Sequence, residues 1–265
     1  MNILIRELKA NLKPMIIWCV AQMFVILAGM MKYVGFSKSG TDINELFAAM
    51  PEGLMKAFGI SDVNIATVDG FYTVFFLYFI LLASIHAVMF GAVVISKEER
   101  DHSADFLFSK PVKRHVVITF KFIAGLLNIA ILNIVTLVTS VVMIAQNNDG
   151  DGLFSQVLVL MIALGMIQIF FLALGFLLGA VVKTTKLATS AATGFVLATF
   201  FMSILADLSE KVEFLKYITP FKAYESSVVM FDREIAVLPS IALICFSICF
   251  MAIAYKMFYD RDLTT

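Results

Sequence analysis

Charge is scarce in this chain of 265 residues: Asp, Glu, Lys and Arg make up only 15% of it, where soluble domains carry about a quarter. With 61% of the residues hydrophobic, that scarcity excludes an ordinary water-soluble domain. Histidine is equally sparse, at positions 86, 102 and 115, so the chain is not expected to build a metal cage or to hold a cofactor. Only three cysteines occur, Cys19, Cys245 and Cys249, each inside an apolar run, which excludes a disulfide framework and leaves them as small hydrophobes. There is no Gly-rich phosphate loop, no H-E-x-x-H, and no Ser or Asp in a recognisable nucleophile context. Enzyme chemistry is therefore not expected. Formal net charge is zero, so nothing points to nucleic acid as a partner. A cleavable leader is not expected either, since Gln22 interrupts the first apolar run and no small-x-small site follows it.

What the chain does have is six long apolar runs, at 15–34, 71–95, 117–145, 153–182, 187–206 and 236–257. Each is long enough to cross the roughly 30 Å of bilayer hydrocarbon at about 1.5 Å per residue. An even number of crossings puts both termini on one side. The expected fold is an all-α integral membrane protein of six helices, forming a single domain over residues 1–265. Trp18 and Tyr33 stand near the two ends of the first run, where aromatic belts form. Residues 1–13 place Ile3, Leu4, Leu8 and Leu12 on one helical face, with Arg6, Glu7, Lys9 and Lys13 elsewhere, the pattern of an interfacial helix on lipid headgroups or simply of the cytoplasmic start of the first membrane helix. Residues 35–70 and 207–235 read as loops on the far side. Within the first of these, an amphipathic piece around Leu46, Phe47, Leu54 and Met55 is interrupted at Pro51.

The distribution of basic residues orients the chain. Thirteen of the twenty Lys and Arg fall in the N-terminus, residues 96–121, the short turn at 183–186 and the C-terminus. The positive-inside rule makes that side cytoplasmic, in a cell membrane of bacterial plasma-membrane type. Thirteen of the twenty acidic residues fall on the other side.

Within the runs, ionisable groups are nearly missing. His86 is the one candidate for a titrating residue in a pathway, or for an interhelical bond. Gln22, Asn128, Asn133 and Gln168 are neutral polar groups on separate runs, expected to join helices at about 1 kcal/mol each. Gly175 and Gly179, and Ala87 and Gly91, are each four apart and predict close helix contact. The aromatic group Phe75, Phe76, Tyr78 and Phe79 is expected to face lipid. With no acidic relay in the runs, any transport would draw its energy from outside the chain.

The longest charged passage, ISKEERDHSADFLFSKPVKRHVVITFK at 95–121, carries Ser96, Glu98, Glu99, then Asp105, Phe106, Leu107, Phe108, Ser109, Lys110, Pro111, Val112 and Arg114, and ends on Lys121. This order resembles the first cytoplasmic loop of the permease subunits of ABC-2 type ABC transporters. The Gly-Thr common after the acidic pair is missing, with Ser103 and Ala104 roughly in its place, and Phe108 replaces a leucine. Tyr217–Ile218–Thr219–Pro220–Phe221 is similar to the family's entry to the last span, and six spans with a long first outer loop fit it too.

The resemblance implies a permease subunit without its own ATPase. It implies pairing with a second permease subunit, identical or homologous, and a contact from each permease to a cytoplasmic ABC ATPase, two copies in all. The loop 96–116 would carry the coupling element, with a short helix over 98–109. In it Glu98, Glu99 and Asp101 would stand at the helix start, Phe106, Leu107 and Phe108 would form an apolar knob, Pro111 would end the helix, and Lys113 and Arg114 would anchor at headgroups. The family mostly exports, and the uncharged runs suit a hydrophobic or amphipathic substrate such as a peptide, drug or lipid. Two other readings stand beside it: a secondary carrier using His86, and a non-transporting sensor or assembly subunit.

Overall fold

A computed structural model describes residues 3–39, 51–57, 59–60, 63–100, 114–182, 184–208 and 210–260. Nine of its helices and helical pieces among the described residues matter here. They are α1 (Ile3–Ala10), α2 (Leu12–Ser39), α3 (Glu52–Ala57), α4 (Val68–Arg100), α5 (Arg114–Ala145), α6 (Phe154–Val181), α7 (Thr185–Leu208) and, after a connecting segment, α8 (Ser226–Phe231) followed by α9 (Val237–Asp260). Six of them, α2, α4, α5, α6, α7 and α9, are long and apolar enough to cross a membrane.

Helix is the only single-strand solution for such runs, because every backbone N–H and C=O must be satisfied within the segment once water is gone. Pro51 and Gly150 sit between the spans, where this demand is weakest. The Pro51 carbonyl accepts from Leu54 and Met55 N–H at 2.9 and 3.2 Å and so opens α3, while the part of the amphipathic piece before it lies outside the described residues. Between α5 and α6 the chain reverses through Asp149 (φ 47°), Gly150 (φ 88°) and Leu153 (φ 48°), a left-handed turn that glycine adopts freely. Between α6 and α7 the Thr184 hydroxyl caps Leu187 N–H at 3.4 Å.

The bundle is built around α4 and α6. In their apolar middles 72% and 67% of residues are buried, against 28% to 33% for the other four spans, so these two form the centre and the rest surround them. The central seam is a backbone-to-backbone contact. A Cβ added at Gly91 would stand 2.5 Å from Leu172 O and 2.9 Å from Phe176 N, and one at Gly179 would stand 2.7 Å from Ala92 O. Gly175 faces Val88 O and Gly91 in the same way, and Ala87 is fully buried beside them. One continuous apolar cluster runs from this seam into the surrounding helices.

Several features depart from the sequence expectation. The α4 and α5 helices are longer than the runs that define them: α4 continues from 95 to Arg100 and α5 starts at Arg114, ahead of 117. At about 50 Å each, both exceed the bilayer core and project beyond it. Glu98 and Glu99 have a helical backbone continuous with α4, and the chain beyond Arg100 lies outside the described residues until Arg114. On α1 the inward stripe is Ile3, Leu4, Glu7, Leu8 and Asn11, while Leu12 is 56% exposed. Glu7 thus belongs to the buried face. Tyr33 is buried too, its hydroxyl donating to Ala66 O at 3.3 Å, and Trp18 packs on His86 of α4. Neither makes a simple lipid belt. In the aromatic group of α4, Phe76 and Phe79 are core residues and only Tyr78 is exposed. The cysteines are all unpaired, with Cys245 and Cys249 on the outer face of α9.

The largest departure is the segment after α7. Part of it, from Thr219 to Tyr224, enters the bundle, while Phe214, Tyr217 and Ile218 before it are exposed. Thr219 donates to Thr199 O at 2.8 Å and caps Phe221 N–H, and Pro220 sets the first turn of a short 3-10 helix, Pro220–Lys222. Phe221 then enters between Phe171 and Phe200, with ring centroids at 5.3 and 5.4 Å. Phe171 is about 25 Å along α6 from its start, so the segment dips well into the bundle. Tyr224 anchors it further, its hydroxyl 2.8 Å from Ser240 Oγ and 3.1 Å from Met166 Sδ. Lys222 is ion-paired with Asp207 at the end of α7. The polar composition of 207–235 hid this, because the inserted residues are few.

Candidate functional site

The six crossings alternate, so one end of the bundle gathers α1, the α4–α5 loop, the α6–α7 turn and the end of α9. Several interhelical side-chain bonds lie at this loop end, and two of them reach the last part of α4. The Lys121 ammonium, in the second turn of α5, donates to Val94 O. From α7, the Thr185 hydroxyl donates to Ser96 O at 3.2 Å. Ser96 itself folds back onto Ala92 O at 2.7 Å. From α1, Glu7 Oε1 stands 3.8 Å from Lys121 Nζ, both side chains being 0% exposed, and Arg6 approaches the same oxygen at 3.4 Å. An ammonium on helix carbonyls near a C-terminus meets the negative end of the helix dipole, which favours this arrangement.

The other side of the loop is held by α9. Arg114 donates to Tyr259 O at 2.9 Å, near the C-terminal end of the described part of α9. One turn on, the Thr119 and Tyr255 hydroxyls are 2.7 Å apart. Arg114 thus docks on a helix end, where a headgroup anchor was expected. Of the coupling residues read from the sequence, Glu98 and Glu99 have a described backbone, while Asp105, Phe106, Leu107, Phe108 and Pro111 lie outside the described residues. The two helices that flank the loop are each bonded to other helices: α4 to α5 and α7, and α5 to α1 and α9.

The mid-span polar residues form a second group. Gln22 on α2 and Gln168 on α6 are both fully buried, and their amides donate to Phe79 O and Ala83 O of α4, each at 3.4 Å. They join helices to adjacent turns of α4. Asn128 does not: its amide donates to Ala124 O of its own helix at 2.8 Å, since a four-residue offset lets the side chain reach back along α5. Asn133 lies against Gly165 of α6. His86 is 3% exposed and its ring meets Trp18 of α2 at 5.5 Å, with no hydrogen-bond partner at Nδ1 among the described residues. Ring packing is its visible contribution. His86→Phe keeps the ring and removes a buried polar nitrogen, a change expected to be neutral or to stabilise by about 1 kcal/mol. Thermal unfolding in mild detergent would check it; a large loss of stability would mean that the imidazole nitrogens, not the ring, hold α2 to α4.

Sequence reasoning missed Glu7 and the burial of Lys121, and it gave no role to Thr185. Two signals pointed to them. Glu7 falls on the stripe set by Leu4, Leu8 and Asn11, and Lys121 stands alone in VVITFKFIAGLL, flanked on both sides by apolar residues. No cluster of His, Cys, Asp and Glu suited to a metal occurs among the described residues.

Four membrane-spanning helices around a two-helix centre, with helix ends tied together at one end, make a multi-pass membrane protein. Residues 1–263 match the family model described as ABC-2 family transporter protein, so the chain belongs to that family. A search of curated proteins gave no match.

Proposed function

We infer that this permease is the membrane half of an ATP-driven exporter and that the loop between α4 and α5 receives the ATP cycle of a separate subunit. The observation that carries this reading is the loop end itself: α4 and α5 run out past the bilayer core, and their ends are bonded to α1, α7 and α9. A push on the loop would be transmitted to the helices rather than absorbed by a slack connection. Within the loop, Phe106, Leu107 and Phe108 supply an apolar knob for a groove on the ATPase. Glu98, Glu99 and Asp105 supply the acidic flank, and Pro111 and Arg114 return the chain to α5. Two ATPase copies and a second permease subunit complete the transporter. The domain is a single one, with α1 on the cytoplasmic surface and both termini on that side. The spans carry few charges in their middles, which favours a hydrophobic or amphipathic substrate.

Replacing Phe106 and Leu107 with aspartate (Phe106→Asp/Leu107→Asp) tests this directly. Co-purified ATPase is expected to fall at least about tenfold, since charges placed in an apolar anchor are desolvated without partners. Thermal unfolding of the permease alone should not change if the knob serves the ATPase and not the permease's own packing. Undiminished ATPase recovery with ATP-driven flux intact would sink the assignment of the knob. Flux sustained by an ion gradient with no ATPase present would instead favour a secondary carrier.

A further inference from the structure

The pair formed by Glu7 and Lys121 is the one place where α1, α4 and α5 meet through buried charge among the described residues. We propose that Glu7 and Lys121 are positioning residues: their pair locks α1 in register against the loop-bearing ends of α4 and α5, so that α1 is carried by the same motion that the ATPase drives. This rests on the reading of the α4–α5 loop given above.

Three observations support it. First, α1 packs chiefly on α5 and only slightly on α2, although α2 follows it directly in the chain. The helices α1 and α2 are separated by a turn at Asn11, whose amide folds back on Glu7 O at 2.8 Å. The attachment of α1 is therefore to α5. Second, the contact is specific. Arg6, Lys9 and Lys13 point outward, and Glu7 alone among the charged residues of α1 is buried. An apolar face can slip along its neighbour by a turn with little loss, but an ion pair cannot, because a shift of one turn leaves two buried charges apart. Buried ionic groups are poor stabilisers compared with apolar isosteres, and their best-attested use is to fix register. Third, Lys121 serves both helices at once. Its ammonium holds Val94 O of α4 while facing Glu7 of α1, so displacement of the α4 end displaces the partner of Glu7.

The test uses the permease in nanodiscs with the ATPase that co-purifies with it. Cys19, Cys245 and Cys249 are replaced by alanine, and nitroxide pairs are placed through Lys9→Cys with Asp151→Cys, or His115→Cys with Asp151→Cys. Asp151 stands at the opposite end of the bundle and gives a common reference. Pulsed electron paramagnetic resonance distances are compared between the nucleotide-free complex and the complex trapped with ADP and vanadate. Both distances should change together. In Glu7→Gln/Lys121→Met, which keeps side-chain volume and removes both charges, the change at His115 should persist while that at Lys9 falls by at least half. Glu7→Gln alone, which leaves Lys121 on Val94, should give the same loss and serves where the double variant assembles poorly. If His115 moves and Lys9 does not in the unaltered pair, or if Lys9 moves equally in the variants, the proposal is overturned and the ATPase reading stands. No change at either position, or no ATPase in the purified complex, overturns that reading and the proposal with it.

Discussion

Gly175→Leu is expected to prevent the bundle from closing. The central seam allows no side chain at this position: the first carbon alone would collide with Val88 O and stand 3.0 Å from both Ala92 N and Gly91 Cα. These are backbone atoms in the middle of a buried helix, so they cannot rotate away as a side-chain tip would. Relief requires α4 and α6 to separate along the most buried contact in the molecule. Overpacking of an ordinary core costs about 1–3 kcal/mol. Here the whole seam must open, and a loss of about 3 kcal/mol or more is expected against a net stability of about 5–15 kcal/mol. Because the collision begins at Cβ, Gly175→Ala should be nearly as damaging as Gly175→Leu. Gly194, with open space around its Cα, provides the control, and Gly194→Leu should melt like the unaltered protein. Thermal unfolding and size-exclusion profiles in mild detergent give the comparison. A Gly175→Leu protein that stays monodisperse with an unchanged melting temperature would show that the two helices do not meet backbone to backbone.

Lys121→Met should be almost as severe, for an electrostatic reason. It removes the charge facing Glu7, leaving a carboxylate with no exposed surface, and it removes a donor from Val94 O. Breaking a buried pair by taking one partner away costs about 3–5 kcal/mol. Arg6 remains 3.4 Å from the same carboxylate oxygen, so the lower end of that range is expected. Glu7→Gln/Lys121→Met should recover most of the loss, since two neutral groups of similar volume need no mutual compensation. The two single variants and the double variant form a cycle, and a coupling of about 2 kcal/mol or more in detergent unfolding would establish the pair. Strictly additive losses would mean that Lys121 acts through partners other than Glu7.

The six spans and their order were legible before any coordinates because crossing a bilayer depends mainly on local composition and length. The ends were less legible. The chain stays helical past the last apolar residue at Ser96–Arg100, where hydropathy already falls, since a helix once formed extends at little cost. Small-residue spacing at Gly91, Gly175 and Gly179 announced close contact but could not say that α4 and α6 meet each other. Asn128 and Gln168 look alike in sequence, yet one bonds its own helix and the other reaches across to α4. The insertion of Phe221 was hidden for a related reason. Its burial depends on the space between Phe171 and Phe200, which belongs to other helices.

By itself, then, the sequence determined that this is a six-span membrane protein with one strongly charged loop, and the motif in that loop carried its family. Those properties follow from transfer free energies and short-range order, which each segment holds independently of its neighbours. The tertiary structure alone decided that Glu7 and Lys121 are partners, that Arg114 and Thr185 bind the ends of helices other than their own, and that the segment after α7 turns inward. Each of these depends on two surfaces meeting, and a side chain's worth there is set by what lies opposite it.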